Sequence, residues 1–303
     1  MKQLVIATRK SRLALWQAQH IADLLKKFHS QLEVELLPLS TRGDQLIDRR
    51  LDDVGGKGLF VKELEHAMAE RRADLAVHSM KDLPAELPAG FAVAAITRRE
   101  DPRDVFVSLK YPSLGKMVNG SSIGTSSLRR QAQLGERHPG LEVRLLRGNV
   151  DTRLAKLDRG EYDAVVLAAA GLIRLGLEGR IAARLETDEM LPAPGQGALG
   201  IECLAARTEV TALLAPLADS ATSACVRAER EVSRVLGGSC TLPLAAYAEL
   251  RSDRIRLRAL VASPDGRRVV RTESTGPLAD PEGLGRRAAE ELRRQGAEEI
   301  LGI

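Results

Sequence analysis

Aromatic residues are scarce in this chain. They make up 3% of 303 residues, with a single tryptophan. Stacking of single-stranded bases on aromatic platforms is therefore excluded as its main business. Cysteine is scarce too. Cys203, Cys225 and Cys240 are odd in number, form no C-x-x-C, and stand at no metal-ligand spacing from the five histidines. A disulfide framework and a zinc site are thus not expected, nor any other metal. No apolar run reaches the ~18 residues of a membrane span. The chain runs at once into the strand-like Leu4-Val5-Ile6-Ala7, without a signal-peptide core, so a cytoplasmic protein is expected. Excess charge of one sign is also missing. Lys and Arg number 45 against 41 Asp and Glu, a net +4 that does not itself call for nucleic acid. Where the arginines stand matters more than their sum.

What is present is enough chain for two or three domains, and one dense polar stretch. Leu75-Ala76-Val77 reads as a short buried parallel strand. His78, Ser79, Lys81 and Asp82 follow at once, and Pro84 stops regular continuation. In open α/β sheets, ligands sit beyond the carboxyl ends of the strands. Four polar groups in five residues fit a solvated loop poorly. Asp82 is the candidate catalytic group, since a carboxylate at a strand end can exchange a proton or stabilise a developing cation.

In chain order, residues 3–8 predict a strand and 12–28 an amphipathic helix, with Leu13, Trp16, Ile21, Leu24 and Phe28 near a 3.6-residue period. Thr8, Arg9, Ser11 and Arg12 stand at that helix start, where unpaired N–H groups and the helix dipole favour an anion. Residues 33–40 predict a second strand. The stretch 42–58 lacks periodicity and closes on Gly55-Gly56-Lys57-Gly58, as a lid or binding loop would, with Lys57 able to reach an anion. A helix over 59–70 and a strand over 91–97 follow. Arg98 to Pro102 then reads as a crossing into a second domain.

There the pattern partly repeats. Ile123-Gly124-Thr125-Ser126-Ser127-Leu128-Arg129-Arg130 mirrors Ile6 to Ser11. Arg129, Arg130, Arg147, Arg153 and Arg174 all fall at or near predicted strand ends or helix starts, which favours a binding wall over scattered surface groups. An apolar run covers Ala164 to Gly171. The segment from Leu191 to Ala198, rich in proline and glycine and containing Gln196, reads as a crossing back. Two crossings between two α/β lobes describe a hinged cleft. Helices near 207–217 and 220–236 lead to alternating strands over 245–250, 254–262 and 268–274, a Pro264-Asp265-Gly266 turn, and a closing helix over 281–295. Cys203 and Cys225 look like ordinary buried cysteines. Cys240 stands in the glycine-rich Gly237-Gly238-Ser239-Cys240 and is the one expected to react.

Seven segments in register resemble one family, porphobilinogen deaminase (hydroxymethylbilane synthase): Ala7–Ser11, Gly55–Glu63, His78–Pro84, Gly124–Gln131, Leu146–Arg153, Pro192–Glu202 and Gly238–Cys240. The resemblance implies two periplasmic-binding-protein-like α/β domains with a hinged cleft and a smaller α+β C-terminal domain of three antiparallel strands with helices. The boundaries expected are 1–98 with 198–217 for domain 1, 99–197 for domain 2 and 218–303 for domain 3. It implies a transferase that joins four porphobilinogen molecules head to tail, losing ammonia each time, and releases hydroxymethylbilane. It further implies a dipyrromethane cofactor held by a thioether to Cys240. Asp82 would assist deamination and stabilise cationic azafulvene-like and pyrrolenine states. Arg9, Ser11, Lys57, Lys81, Ser127, Arg129, Arg130, Arg147, Arg153, Arg174 and Gln196 would hold cofactor and substrate. The partners implied are porphobilinogen alone, without nucleic acid or membrane, on a monomer that hands its product to uroporphyrinogen-III synthase. The chemistry is coherent, because each pyrrole carries two carboxylates and arginine binds carboxylate bidentately.

The sequence departs from the family at Arg12, often proline, at Ser239, often glycine, and at Asp53, often lysine. Asp53 is expected to point outward, neutralised by Arg49 and Arg50. Two other readings compete: a non-enzymatic two-lobed anion-binding protein, which leaves Cys240 and Asp82 unexplained, and a nucleic-acid binder using the arginines.

Overall fold

The structure, a computed structural model, describes residues 2–41, 61–237 and 242–303. Lys57 and Cys240, with Arg49, Arg50, Asp53 and Ser239, lie outside the described residues. The chain divides into two compact units, residues 1–100 with 198–223, and residues 101–197 with 224–303.

The first unit is built on a five-stranded sheet. Strands β1 (Gln3–Arg9), β2 (Glu33–Leu39) and β3 (Leu75–Ser79) are joined by β4 (Phe91–Ile96) and by β10 (Leu199–Leu204), which returns from far along the chain. The order is β2-β1-β3-β10-β4. β1 is parallel to β2 and β3, and β10 runs antiparallel to β3 and β4. The helix Arg12–Phe28 packs Ile21, Ala22 and Leu25 with Leu4, Ile6, Leu75, Val77 and Ile201 on one face. The helix Lys62–Ala69 packs Leu64, Ala67 and Met68 with Ala7 and Ala76 on the other. Alternation along β1 and β3 supplies both apolar faces.

In the second unit, β5 (Asp104–Ser108), β6 (Ser122–Thr125), β7 (Glu142–Leu145), β8 (Ala164–Ala168) and β9 (Ala183–Leu185) form a sheet of order β7-β6-β8-β5-β9. As in the first sheet, four strands run one way and one next to the edge, here β5, runs against them. The internal repeat expected from the sequence is thus a repeat of topology. The Ala164–Gly171 run is not one element. It turns from β8 into the helix Ala169–Arg174, so Arg174 ends a helix instead of following a strand.

The last strands, β11 (Leu244–Arg251), β12 (Arg254–Ala262) and β13 (Val269–Pro277), form an antiparallel meander. One face buries Ala246, Ile255, Leu257 and Val261 with Ala228, Val232, Leu284, Ala288 and Leu292 from the helices Ser220–Val235 and Pro281–Arg294. The opposite face sets Ala245, Leu260 and Ala262 against Ala132 and Leu191. Contact there is close: a Cβ on Gly135 would lie 2.5 Å from the carbonyl oxygen of Asp265. Residues 224–303 therefore share one compact unit with residues 101–197. Buried Glu229 accepts N–H bonds from Gly195 at 2.6 Å and Ala248 at 2.7 Å, tying the segment before β10 to β11.

Candidate functional site

In the first unit, two candidate groups emerge from neighbouring parallel strands. β1 ends at Arg9, and Ser11 caps the helix that follows, its hydroxyl accepting from Ala14 N at 3.3 Å. The Thr8 hydroxyl donates to Ala14 O at 3.0 Å and steadies the same junction. β3 ends at Ser79, and Met80–Asp82 form one turn of 3-10 helix. Because β1 and β3 are adjacent and parallel, Arg9, Ser11, Lys81 and Asp82 all lie beyond the same edge of the sheet.

The Asp82 turn is held from beneath. Met80 is buried, and its N–H donates to Ala198 O at 3.0 Å. Gly200 on β10 leaves room for the methionine, since a Cβ there would meet Met80 Sδ at 2.1 Å. Gln17 Nε2 donates to Ser79 Oγ at 2.9 Å from the helix Arg12–Phe28. Asp82 itself is exposed, and its carboxylate has no hydrogen-bond or ion-pair partner among the described residues. A carboxylate on a rigid turn with both oxygens open can take up a proton or face a cation.

In the second unit, the candidate cations follow β6, β7 and β8, three adjacent strands running the same way. Ser127 is the N-cap of the helix Leu128–Arg137, yet makes no side-chain capping bond. Arg147 follows β7 in a turn that needs glycine: Gly148 has φ +113°, and a Cβ there would strike Thr152. Asn149 then caps the helix Val150–Asp158 by accepting from Thr152 N at 2.9 Å. Arg153 donates through Nε to Gly148 O at 2.7 Å and reaches Ser126 Oγ at 3.5 Å. Arg174 is buried and donates to Gly197 O at 2.7 Å.

The pattern points to a wall of arginines, but two of them are turned inward. Arg129 and Arg130 are 3% and 5% exposed and share buried Asp104, the first residue of β5. Arg129 donates to Asp104 Oδ2 and to Leu191 O, each at 2.7 Å. Arg130 donates to Asp104 Oδ1 through Nη2 at 2.8 Å, and to Val166 O at 2.9 Å. The Gln196 amide donates to Asp104 Oδ1 at 2.9 Å and to Pro102 O at 2.6 Å. Burial alone would raise the Asp104 carboxyl, but the two arginines outweigh it and hold Asp104 far below the ordinary carboxylate range. Two guanidiniums against one carboxylate leave one positive charge unmatched within this set of contacts.

Asp104 was not singled out from the sequence. The available signal was an acid opening the apolar run Val105-Phe106-Val107, where a buried strand should hold no charge without a partner. The pair of His78 with Glu202 was missed for the same reason.

A family model described as porphobilinogen deaminase, dipyromethane cofactor binding domain, matches residues 4–212, and one described as the porphobilinogen deaminase C-terminal domain matches residues 223–294. A Bordetella parapertussis protein named porphobilinogen deaminase is 59% identical over 301 residues, covering 99% of this chain and 96% of its own. One of the same name from Thiobacillus denitrificans is 56% identical over 301 residues, covering 99% and 98%. Among solved structures, the periplasmic aliphatic sulphonate binding protein SsuA from Escherichia coli aligns over 97% of this chain and 88% of its own, with 15% identity and a TM-score of 0.44.

Proposed function

The chain belongs to the porphobilinogen deaminase family, and we propose how its own residues carry out that family's reaction. Four porphobilinogen molecules are condensed stepwise with loss of ammonia, and hydroxymethylbilane is released by hydrolysis. The observation that carries the assignment of roles is the placement within each sheet. An open carboxylate lies beyond β3 in one, and a set of arginines lies beyond three parallel strands in the other.

Dipyrromethane, when bound, supplies the pyrrole carbon on which the chain is extended. The residues present fit such a polycarboxylate. Besides the unmatched positive charge, Nε of Arg129 is buried without a hydrogen-bond partner among the described residues, leaving a donor for a further acceptor. Arg129 and Arg130, with Ser127, Arg147 and Arg153, would hold its carboxylates, and Gln196 would keep Arg129 in place through Asp104. Arg9, Ser11, Lys57 and Lys81 would orient the incoming porphobilinogen. Asp82 would move the proton exchanged at the aminomethyl nitrogen and face the positive charge that develops there.

Cys240 is the attachment point by its motif match. Intact-mass measurement and peptide mapping should find a dipyrrole adduct on the peptide holding Cys240. An adduct on buried Cys203 or Cys225 would refute the assignment, and no adduct at all would favour the non-enzymatic anion binder. The separate placement of the arginines also predicts separate stages. Arg129→Leu should block cofactor assembly, whereas Arg174→Leu should assemble the cofactor and stall a later addition. Native mass spectrometry of the accumulating complexes, on variants with matched thermal midpoints, checks this. Stalling at one common stage would defeat it.

We further propose that residues 1–98 with 198–217, 99–197 and 218–303 serve as catalytic, binding and cofactor-carrying domains. The protein would act in the cytoplasm as a monomer that passes its product to uroporphyrinogen-III synthase. No helix among the described residues is long and apolar enough to cross a membrane.

A further inference from the structure

Behind the Asp82 turn lie three ionisable side chains that the reaction as derived does not use. Glu65, His78 and Glu202 are 8%, 7% and 0% exposed. By alternation His78 shares the face of Ala76, which packs against Leu64, Ala67 and Met68. Glu202 stands opposite Ala76 across the β10–β3 pair. A strand covered on both faces is ordinarily apolar throughout, so an imidazole and two carboxyl groups here need a reason.

His78 Nε2 lies 2.8 Å from Glu202 Oε2. Oε1 of Glu202 and Oε1 of Glu65 are both buried and without a hydrogen-bond partner among the described residues. Two carboxyl groups therefore face one imidazole, with Lys62, one turn before Glu65, as the other charged group acting on Glu65. A buried carboxylate without a matched cation takes up a proton. Glu202 holds the imidazole, so Glu65 is the one left over. Burial first, and then the charge of Glu202, push the Glu65 carboxyl above the ordinary carboxylate range against the weaker pull of His78 and Lys62. His78 stands four residues before Asp82, and Ser79 beside it is fixed from the other face by Gln17.

We propose that Glu65, His78 and Glu202 form one proton-holding unit, with Glu65 carried as the neutral acid, that positions the Lys81–Asp82 turn from behind. The positioning role rests on the assignment of Asp82 as the catalytic carboxylate. The proton-holding role does not.

The test is thermal unfolding of the full-length protein as a function of pH. A raised acid in the native state binds a proton that the unfolded chain has lost, so the native state loses stability as pH rises above the unfolded value of 4.5. Glu65→Gln fixes the neutral form. Its unfolding midpoint should gain on the unsubstituted protein as pH rises above 4.5. Glu202→Gln removes the charge pressing on Glu65 but leaves its burial, and should flatten the pH profile only in part. The double variant should be no flatter than Glu65→Gln alone. Glu202→Gln should also lower kcat about tenfold with KM held within about twofold, as expected when a positioning contact is lost rather than ground-state binding. A Glu65→Gln midpoint displaced equally at every pH overturns the neutral-acid assignment, as does additivity in the double variant. Unchanged kcat in Glu202→Gln overturns the positioning role. If Glu202→Gln does not fold, the Glu65→Gln profile alone decides the first point, and kcat of His78→Gln decides the second. Failure of Asp82 as catalyst would appear in Asp82 variants and leave the unfolding profiles untouched.

Discussion

Asp82→Asn should fold normally and lose turnover by a factor of 10² or more. The side chain is exposed, and no described residue bonds to it, so the substitution removes no internal contact. The turn that carries it is fixed by other groups: the buried Met80, its N–H on Ala198 O, and Ser79 under Gln17. The amide has nearly the shape of the acid but neither its charge nor its basicity. Proton transfer is then lost, at about 10² or more in rate, together with electrostatic stabilisation of the developing cation, of similar order. Single-turnover and steady-state kinetics, read beside thermal midpoints, separate the cases. Near-normal turnover would remove Asp82 from the mechanism. A midpoint several degrees lower would show that the turn needs the carboxylate for folding.

The second large effect is on stability. Asp104→Ala should destabilise the protein by about 3–5 kcal/mol, the usual cost of removing one partner from a buried ion pair. The cost arises because Arg129 and Arg130 would be left charged, buried and unpaired, and the Gln196 amide would lose its acceptor. Asp104→Asn keeps the shape and some acceptor capacity and should fall between. There is also a pH signature. The native carboxyl is held below its unfolded value of 3.8, so its contribution is complete above about pH 4 and drains away as pH falls below that. Urea midpoints measured from pH 7 down to pH 3 should show the variant and the unsubstituted protein converging in acid. A variant of unaltered urea midpoint at pH 7 would mean that the arginines find equal partners elsewhere.

The contrast between Asp82 and Asp104 shows what a sequence discloses. Asp82 was legible because everything that marks it is local: an apolar strand, a polar burst and a proline within eleven residues. Ser11 and the helix starts were legible for the same reason, since a helix start and its flanking residues are neighbours in the chain. Asp104 was opaque because its partners lie 25 and 26 residues away and meet it only through the strand order β6-β8-β5. Glu202 lies 124 residues from His78. Arg129, Arg130, Arg147 and Arg153 stand at or near strand ends and helix starts as read, while Arg174 ends a helix, but spacing says nothing about which way a side chain turns. β5 and β9 were not foreseen, because short runs carry no period that separates strand from helix. β13 runs on to Pro277, which an edge strand tolerates because its outer N–H has no partner to lose.

The path of β10 bears on how the protein is made. It lies between β3 and β4, so among the described residues β4 has no other strand beside it. The two parts of the first unit are separated by residues 101–197. While a ribosome has delivered only the first hundred residues, the apolar segment Phe91–Ile96 has no strand to pair with, and one flank of β3 stands open. That gap persists until Leu204 has left the exit tunnel, several seconds later at ~5–20 residues per second. Residues 104–185, by contrast, supply every strand of their sheet in one uninterrupted stretch. The nascent chain can therefore complete its second sheet before its first, and the amino-terminal half waits, exposed to chaperones, for a strand encoded nearly two hundred codons downstream of its start.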